Sequence, residues 1–166
     1  MKPRLDNVVC VVTGAARGIG RAIAERCAIE GARVACLDVS EARLAVAVDE
    51  MRGQGMDTRA FVADVGNRNA VHDAFVMIER EFNQPVGALV NNAVWARFLP
   101  LAEIDPPTLD RMFAVGLQGS IWTMQAAVPQ MQRRGGGTVV NLCSTNGIRG
   151  MANSIGPQIE SVTIVR

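Results

Sequence analysis

The chain contains no tyrosine. No phenol is available as a proton donor or acceptor, so acid–base chemistry would have to come from other groups. Histidine is nearly missing too: the one residue, His72, sits in the helix-like stretch "NAVHDAFVMIEREF", where an exposed position is expected rather than a catalytic part. The four cysteines, Cys10, Cys27, Cys36 and Cys143, show no Cys-x-x-Cys spacing. With one histidine beside them they offer no metal-ligand pattern, and buried, reduced thiols are expected. Excess charge is lacking: 17 Lys and Arg stand against 16 Asp and Glu, and a net charge of +1 gives no long-range pull toward nucleic acid or anionic membrane. No apolar run approaches the roughly 20 residues of a spanning helix, and the run Val8 to Val12 is too short for a signal-peptide core. A soluble, cytoplasmic protein is expected, with small molecules or other subunits as partners, and neither nucleic acid nor membrane.

What is present is ordinary globular composition, 49% hydrophobic and 20% charged over 166 residues, enough for one domain with an apolar core. Five short β-branched runs alternate with segments of helical period. They are "NVVCVVTG" (7–14), "RVACLD" (33–38), "TRAFVADV" (58–65), "GALVNNA" (87–93) and "TVVNLCS" (138–144). Helices are expected to start near Gly18, Ser40, Asn69 and Asp105. In "SEARLAVAVDEMRGQG", Leu44, Val48 and Met51 recur at i, i+4, i+7 spacing, Ser40 can cap the start, and Gly53 or Gly55 can end it. Asp105 is an N-cap with Pro106 at the first helical position. That helix can run through "MQAAVPQMQRR", with a kink at Pro129 and a stop at Gly135 to Gly137. This alternation predicts an α/β fold, a Rossmann-like doubly wound parallel sheet of about five strands in three layers.

The first strand runs into "TGAARGIGRAIAERCAIEG", which places Gly14, Gly18 and Gly20 at a strand-to-helix turn. Glycines there allow a tight turn, close approach of a phosphate to the backbone, and tight packing of helix on sheet, while free N–H groups at the helix start face the phosphates. The following strand ends in Asp38. A carboxylate at that place accepts hydrogen bonds from the adenosine ribose and repels a 2′-phosphate, which favours NAD over NADP. Arg17 pulls the other way, since a guanidinium in the loop could pair with a 2′-phosphate. A strand-end turn residue for Asp38 and a solvated loop charge for Arg17 are the plain alternatives.

The spacing Thr13-Gly14-x-x-x-Gly18-Ile19-Gly20 closely resembles the short-chain dehydrogenase/reductase family, and later stretches agree in order over about residues 5–154. "ADV" (63–65) looks like the family's third-strand end, "NNA" (91–93) like its fourth-strand motif, and "GGGTVVNLCSTNG" like its fifth strand. The resemblance implies that Asp64 holds the adenine amino group and that Ser144 is the catalytic serine. The implied cofactor set is Thr13, Gly14, Arg17, Gly18, Ile19, Gly20, Asp38, Asp64, Val65, Asn91 and Ala93, with NAD the expected cofactor and no metal. It implies hydride exchange between nicotinamide and a secondary alcohol or ketone. In the family a Tyr transfers the proton, a Lys lowers its pKa, the Ser orients the substrate oxygen, and an Asn in the long helix supports the relay.

This chain departs from that set. At the family's spacing the Tyr position falls on or beside Pro157 and the Lys position near Ser161, while Gly116 stands for the helix Asn and Val94 for the glycine after "NNA", narrowing the nicotinamide side. Proline carries no acid, and a serine hydroxyl brings no charge to lower a neighbour's pKa. The dinucleotide-binding domain is therefore expected over 1–154, followed by a divergent tail, 155–166, with strand-like "QIESVTIVR" where a helix is due. A shifted reading frame or a truncated reading frame would produce such a loss of pattern; a short protein with its own tail is the rival. In either case the fifth strand is expected at an open edge unless the tail pairs with it, with self-association or aggregation through that edge. Two functions follow: a dehydrogenase by descent that is nearly inactive as this chain, or a non-catalytic NAD-binding or subunit-interaction module. Trp95, Arg97, Phe98, Arg149 and Met151 are candidates for a substrate wall, with ordinary loop and core residues as the alternative.

Overall fold

Each β-branched run becomes a strand, and the strands lie side by side because the central ones, Val9–Thr13, Arg33–Asp38 and Ala88–Asn91, bury nearly their whole length. The computed structural model describes residues 3–144. β1 (Val9–Thr13), β2 (Arg33–Asp38), β3 (Thr58–Val62), β4 (Ala88–Asn91) and β5 (Thr138–Asn141) form one sheet in the order β3-β2-β1-β4-β5. Every pairing is parallel, with Val11 opposite Ala35 and Leu89, Ala35 opposite Arg59, and Val90 opposite Val140. All residues of β1 are buried, as a central strand covered on both sides requires. The expected three-layer, doubly wound α/β architecture is present.

Alternate residues of the strands feed two cores. Val11, Leu37, Phe61 and Leu89 pack with Phe75 and Ile78 of α3 (Arg68–Phe82) and Met131 of α5 (Gly119–Arg133). On the other face Val12, Val34 and Cys36 pack with Ala24 of α1 (Gly18–Ile29) and with Leu44, Val48 and Met51 of α2 (Glu41–Gly53). Some ends differ from the sequence reading. The strands stop earlier, at Val62, Asn91 and Asn141, because the residues beyond leave the ladder to form loops. Ser40 does not cap α2 with its side chain; its N–H instead donates to Asp38 Oδ1 at 2.9 Å. Asn67 caps α3, accepting from Asn69 N and Ala70 N. Asp105 caps α4 (Pro106–Met112) as expected, accepting from Thr108 N at 2.9 Å.

Between α4 and α5 the long helix passes through a π-helical segment, Phe113–Gln118, so a break from α geometry lies there, while α5 runs through Pro129 as α-helix. His72 is exposed, as expected. Cysteine burial is only partly as expected: Cys10 and Cys36 are buried, Cys27 is half-buried, and Cys143 is exposed, because it follows the last paired residue of β5. Among the described residues β5 pairs with β4 alone, and Val140 stays 47% exposed. No helix among them is long and apolar enough to cross a membrane.

One core polar group lacks a partner among the described residues. Thr58 is 0% exposed and its Oγ1 meets no hydrogen-bonding atom. Exchanging that hydroxyl for a methyl removes a desolvation penalty without changing shape, so Thr58→Val is expected to stabilise the fold by about 0.5–1.5 kcal/mol, read from urea midpoints. A loss of stability would show that the hydroxyl is bonded.

Candidate functional site

The chain leaves β1 toward α1 on one face of the sheet and leaves β4 toward α4 and α5 on the other. The two loops diverge at the carboxyl ends of adjacent strands, the place where such sheets open a crevice. A cleft of about 420 Å³ lies there. Gly14, Arg17, Gly18, Ile19 and Gly20 line it from the first loop, Asp38 from β2, Asp64 and Val65 from the β3 end, and Ala93 from the β4 end. Nine of the eleven cofactor residues that the resemblance implies thus share one cleft.

Backbone geometry explains the glycines. Gly14 and Gly18 have φ of +67° and +57°, a region other residues avoid. A Cβ on Gly20 would overlap the Gly14 carbonyl oxygen and Asn92 Nδ2, so only glycine lets α1 begin this close to the strand end. Gly18 and Ile19 open α1, whose first turn carries no acidic residue, and Ile19 is 67% exposed at the rim. The first N–H groups of a helix have no partner within it, and together with the dipole they make this end attractive to anions.

Thr13 and Asn91 do not line the cleft. Thr13 is buried beneath it, where Oγ1 donates to Val90 O at 3.4 Å and accepts from Asn92 N and Ala93 N, both at 3.0 Å. Asn91 points into the α5 side, donating from Nδ2 to Asn141 Oδ1 at 2.8 Å and accepting from buried Thr123 Oγ1 at 2.7 Å. Its neighbour Asn92, which the sequence reading passed over within "NNA", does the local work. Asn92 Nδ2 donates to Thr13 O at 2.9 Å and Gly14 O at 3.3 Å, tying the glycine loop to β4. The signal was an amide between a strand end and a glycine turn, where backbone carbonyls need donors.

Two carboxylates are held at the rim. Asp38 accepts from Ala16 N at 3.1 Å and Ser40 N at 2.9 Å. Asp64 accepts from Gly66 N at 2.9 Å and from both ends of the Arg111 guanidinium, at 2.7 and 3.1 Å. Partial burial pushes the Asp64 pKa up, but the Arg111 hydrogen bonds, the Gly66 N–H and the Arg111 charge outweigh it and hold the carboxyl below its usual range. Arg111 and the exposed Arg43 also line the cleft and were not singled out in sequence.

At the far side, Val94 and Trp95 line the cleft, while Arg97 and Phe98 are exposed and do not. Gly116 is buried in the π-helical segment, where its carbonyl accepts from Ser120 Oγ at 3.1 Å. Ser144 follows β5 on the carboxyl side of the sheet, exposed and outside the cleft lining. Arg149, Met151, Pro157, Ser161 and the tail 155–166 lie outside the described residues. Among the described residues no group of three His, Cys, Asp or Glu side chains could hold a metal ion.

A family model described as short chain dehydrogenase matches residues 8–156. The D-threitol dehydrogenase of Mycolicibacterium smegmatis is 36% identical over 141 residues, 85% of this chain and 54% of that enzyme. This chain therefore spans about half the length of the curated relatives it matches. Of solved structures, an NAD+-bound xylitol dehydrogenase superposes with a TM-score of 0.89 at 30% identity, covering 95% of this chain and 61% of the other. A gluconate 5-dehydrogenase from Burkholderia cenocepacia in complex with NADP and tartrate superposes with a TM-score of 0.88 at 28% identity, covering 96% and 62%.

Proposed function

Because this chain belongs to the short-chain dehydrogenase family, we propose that its cleft binds NAD in preference to NADP and that, as 166 residues, it binds without appreciable turnover. The observation that carries the binding is the glycine loop. Gly14, Gly18 and Gly20 put no side chain at the turn that lines the cleft, and a Cβ at Gly20 would collide with the Gly14 carbonyl and push α1 away from it. That fits a pyrophosphate, with the α1 amides and Arg17 as donors. Asp38 supports NAD: its carboxylate is oriented by two backbone N–H groups and keeps lone pairs for ribose hydroxyls, while its charge opposes a 2′-phosphate. Arg17 and Arg43 line the same cleft and temper that preference.

Bound NAD would supply the hydride acceptor, and by descent the reaction is oxidation of a secondary alcohol or reduction of a ketone. Relatives named for threitol and xylitol favour a small polyol. Ser144 is the group to orient the substrate oxygen. The chain has no tyrosine, and its one lysine is Lys2, so the proton carrier and its cation are missing. Loss of a general acid/base alone lowers the rate by about 10²–10⁴.

Calorimetric titration with NAD and NADP tests this, with reduced-nicotinamide absorbance followed in the presence of a polyol. NAD is expected to bind more tightly, and Asp38→Asn to narrow the gap by about tenfold. Tighter NADP binding by the wild type would overturn the selectivity, and turnover at ordinary enzyme rates, on the order of 1–10³ s⁻¹, would overturn the inactivity.

A further inference from the structure

We propose that Arg111 is a positioning residue of the cleft, fixing Asp64 so that one acceptor position remains for the amino group of an adenine and a base with an oxygen in that place is refused. This rests on the dinucleotide reading above. A carboxylate offers about four lone-pair positions. On Asp64, Oδ1 accepts from Gly66 N at 2.9 Å and Arg111 Nη2 at 3.1 Å, and Oδ2 accepts from Arg111 Nη1 at 2.7 Å. Among the described residues three positions are taken. The one they leave is on Oδ2, in a side chain that lines the cleft.

The carboxylate cannot easily turn to offer another. The two parallel N–H···O bonds from a planar guanidinium set its plane as well as its place. Arg111 is itself held, in the last turn of α4, because the helix continues through Ala114 and Gly119 along the turn that carries Asp64. A Cβ on Gly66 would come 3.0 Å from Arg111 Nη1 and 3.3 Å from Ala114 Cβ. One on Gly119 would come 2.9 Å from Val65 Cγ2. The helix therefore passes within side-chain reach of the turn at Arg111, at Ala114 and at Gly119, which leaves the ion pair little room to shift.

The consequence is chemical selection at the base. An ionised carboxylate only accepts. The exocyclic amine of adenine donates to it, whereas the oxygen of hypoxanthine presents a second acceptor and repulsion. Without Arg111 the carboxylate can rotate away from an unsuitable base, so the discrimination falls even where binding survives.

The test titrates the full 166-residue chain with NAD and with nicotinamide hypoxanthine dinucleotide, for the wild type, Arg111→Met and Arg111→Lys. The wild type is expected to prefer NAD by about tenfold or more, since hydrogen bonds to charged groups are worth at least that factor. Arg111→Met is expected to reduce the preference to about threefold or less. Arg111→Lys, which keeps the charge but not the fork, is expected to fall between them and serves where the methionine variant does not fold. A variant that weakens both ligands equally and keeps the wild-type ratio would show a merely structural role and overturn the proposal, as would a wild type that does not discriminate. Binding of neither dinucleotide by the folded wild type would overturn the nucleotide reading itself, which is a different result.

Discussion

Gly20→Ala is expected to lower affinity for the dinucleotide at least about a hundredfold and to destabilise the fold by about 1–3 kcal/mol. The added methyl group would overlap the Gly14 carbonyl oxygen and Asn92 Nδ2 and come 2.9 Å from the Gly14 carbonyl carbon. Two of these atoms belong to the backbone of the turn, so relief requires moving the loop rather than rotating a side chain. Moving it breaks the bonds from Asn92 Nδ2 to Thr13 O and Gly14 O and shifts the α1 amides from the cleft. Titration calorimetry and urea unfolding read the two effects separately. Gly53→Ala is the control: nothing lies within 4 Å of its Cβ position, and better helix propensity is expected to stabilise it by up to about 1 kcal/mol. An alanine at position 20 that binds within about fivefold of the wild type would show that the loop can open without loss, and that close packing of α1 on the strand end is not what shapes the cleft.

Gln130→Leu is expected to cost about 2–4 kcal/mol, the largest effect on stability among these changes. Gln130 is 5% exposed, inside the seam where α3, α5 and the entry to β4 meet. Its Oε1 accepts from Val86 N at 3.0 Å, and its Nε2 donates to Phe75 O at 3.1 Å. Leucine fills a similar volume but leaves the buried Val86 N–H without its partner, at about 1–3 kcal/mol, and strips the Phe75 carbonyl, which keeps its bond within α3, of a second donor, at about 0.5–1.5 kcal/mol. The expected reading is a lower urea midpoint at unchanged slope. Gln132→Leu, two positions on and exposed, is expected to stay within about 0.5 kcal/mol. Equal effects at the two positions would mean that the seam is wet.

These two residues show which features can be read from the chain. Gly20 was visible because its demand is local: a tight turn into a helix after an apolar strand has few solutions, and the spacing of Gly14, Gly18 and Gly20 states one of them. Gln130 was not visible. In "MQAAVPQMQRR" it is one of several glutamines on a helix, and only packing against α3 and β4 makes it a bridge. Asn91 and Asn92 divide in the same way. The sequence reading placed Asn91 at the cofactor, yet along a strand successive side chains point to opposite faces, and the strand's exit from the sheet sends Asn91 to Thr123 and Asn92 to the glycine loop.

The local elements, their order and the acidic end of β2 were determined by the sequence alone, because hydrophobic period, glycine spacing and capping act over a few residues. The tertiary structure decided the partners of those elements. It set the 3-2-1-4-5 strand order that opens the cleft between β1 and β4, brought Arg111 across 47 residues onto Asp64, and hid Thr13 beneath the loop that it supports. Such contacts depend on which faces meet when both cores close, and no short stretch of the chain carries that information.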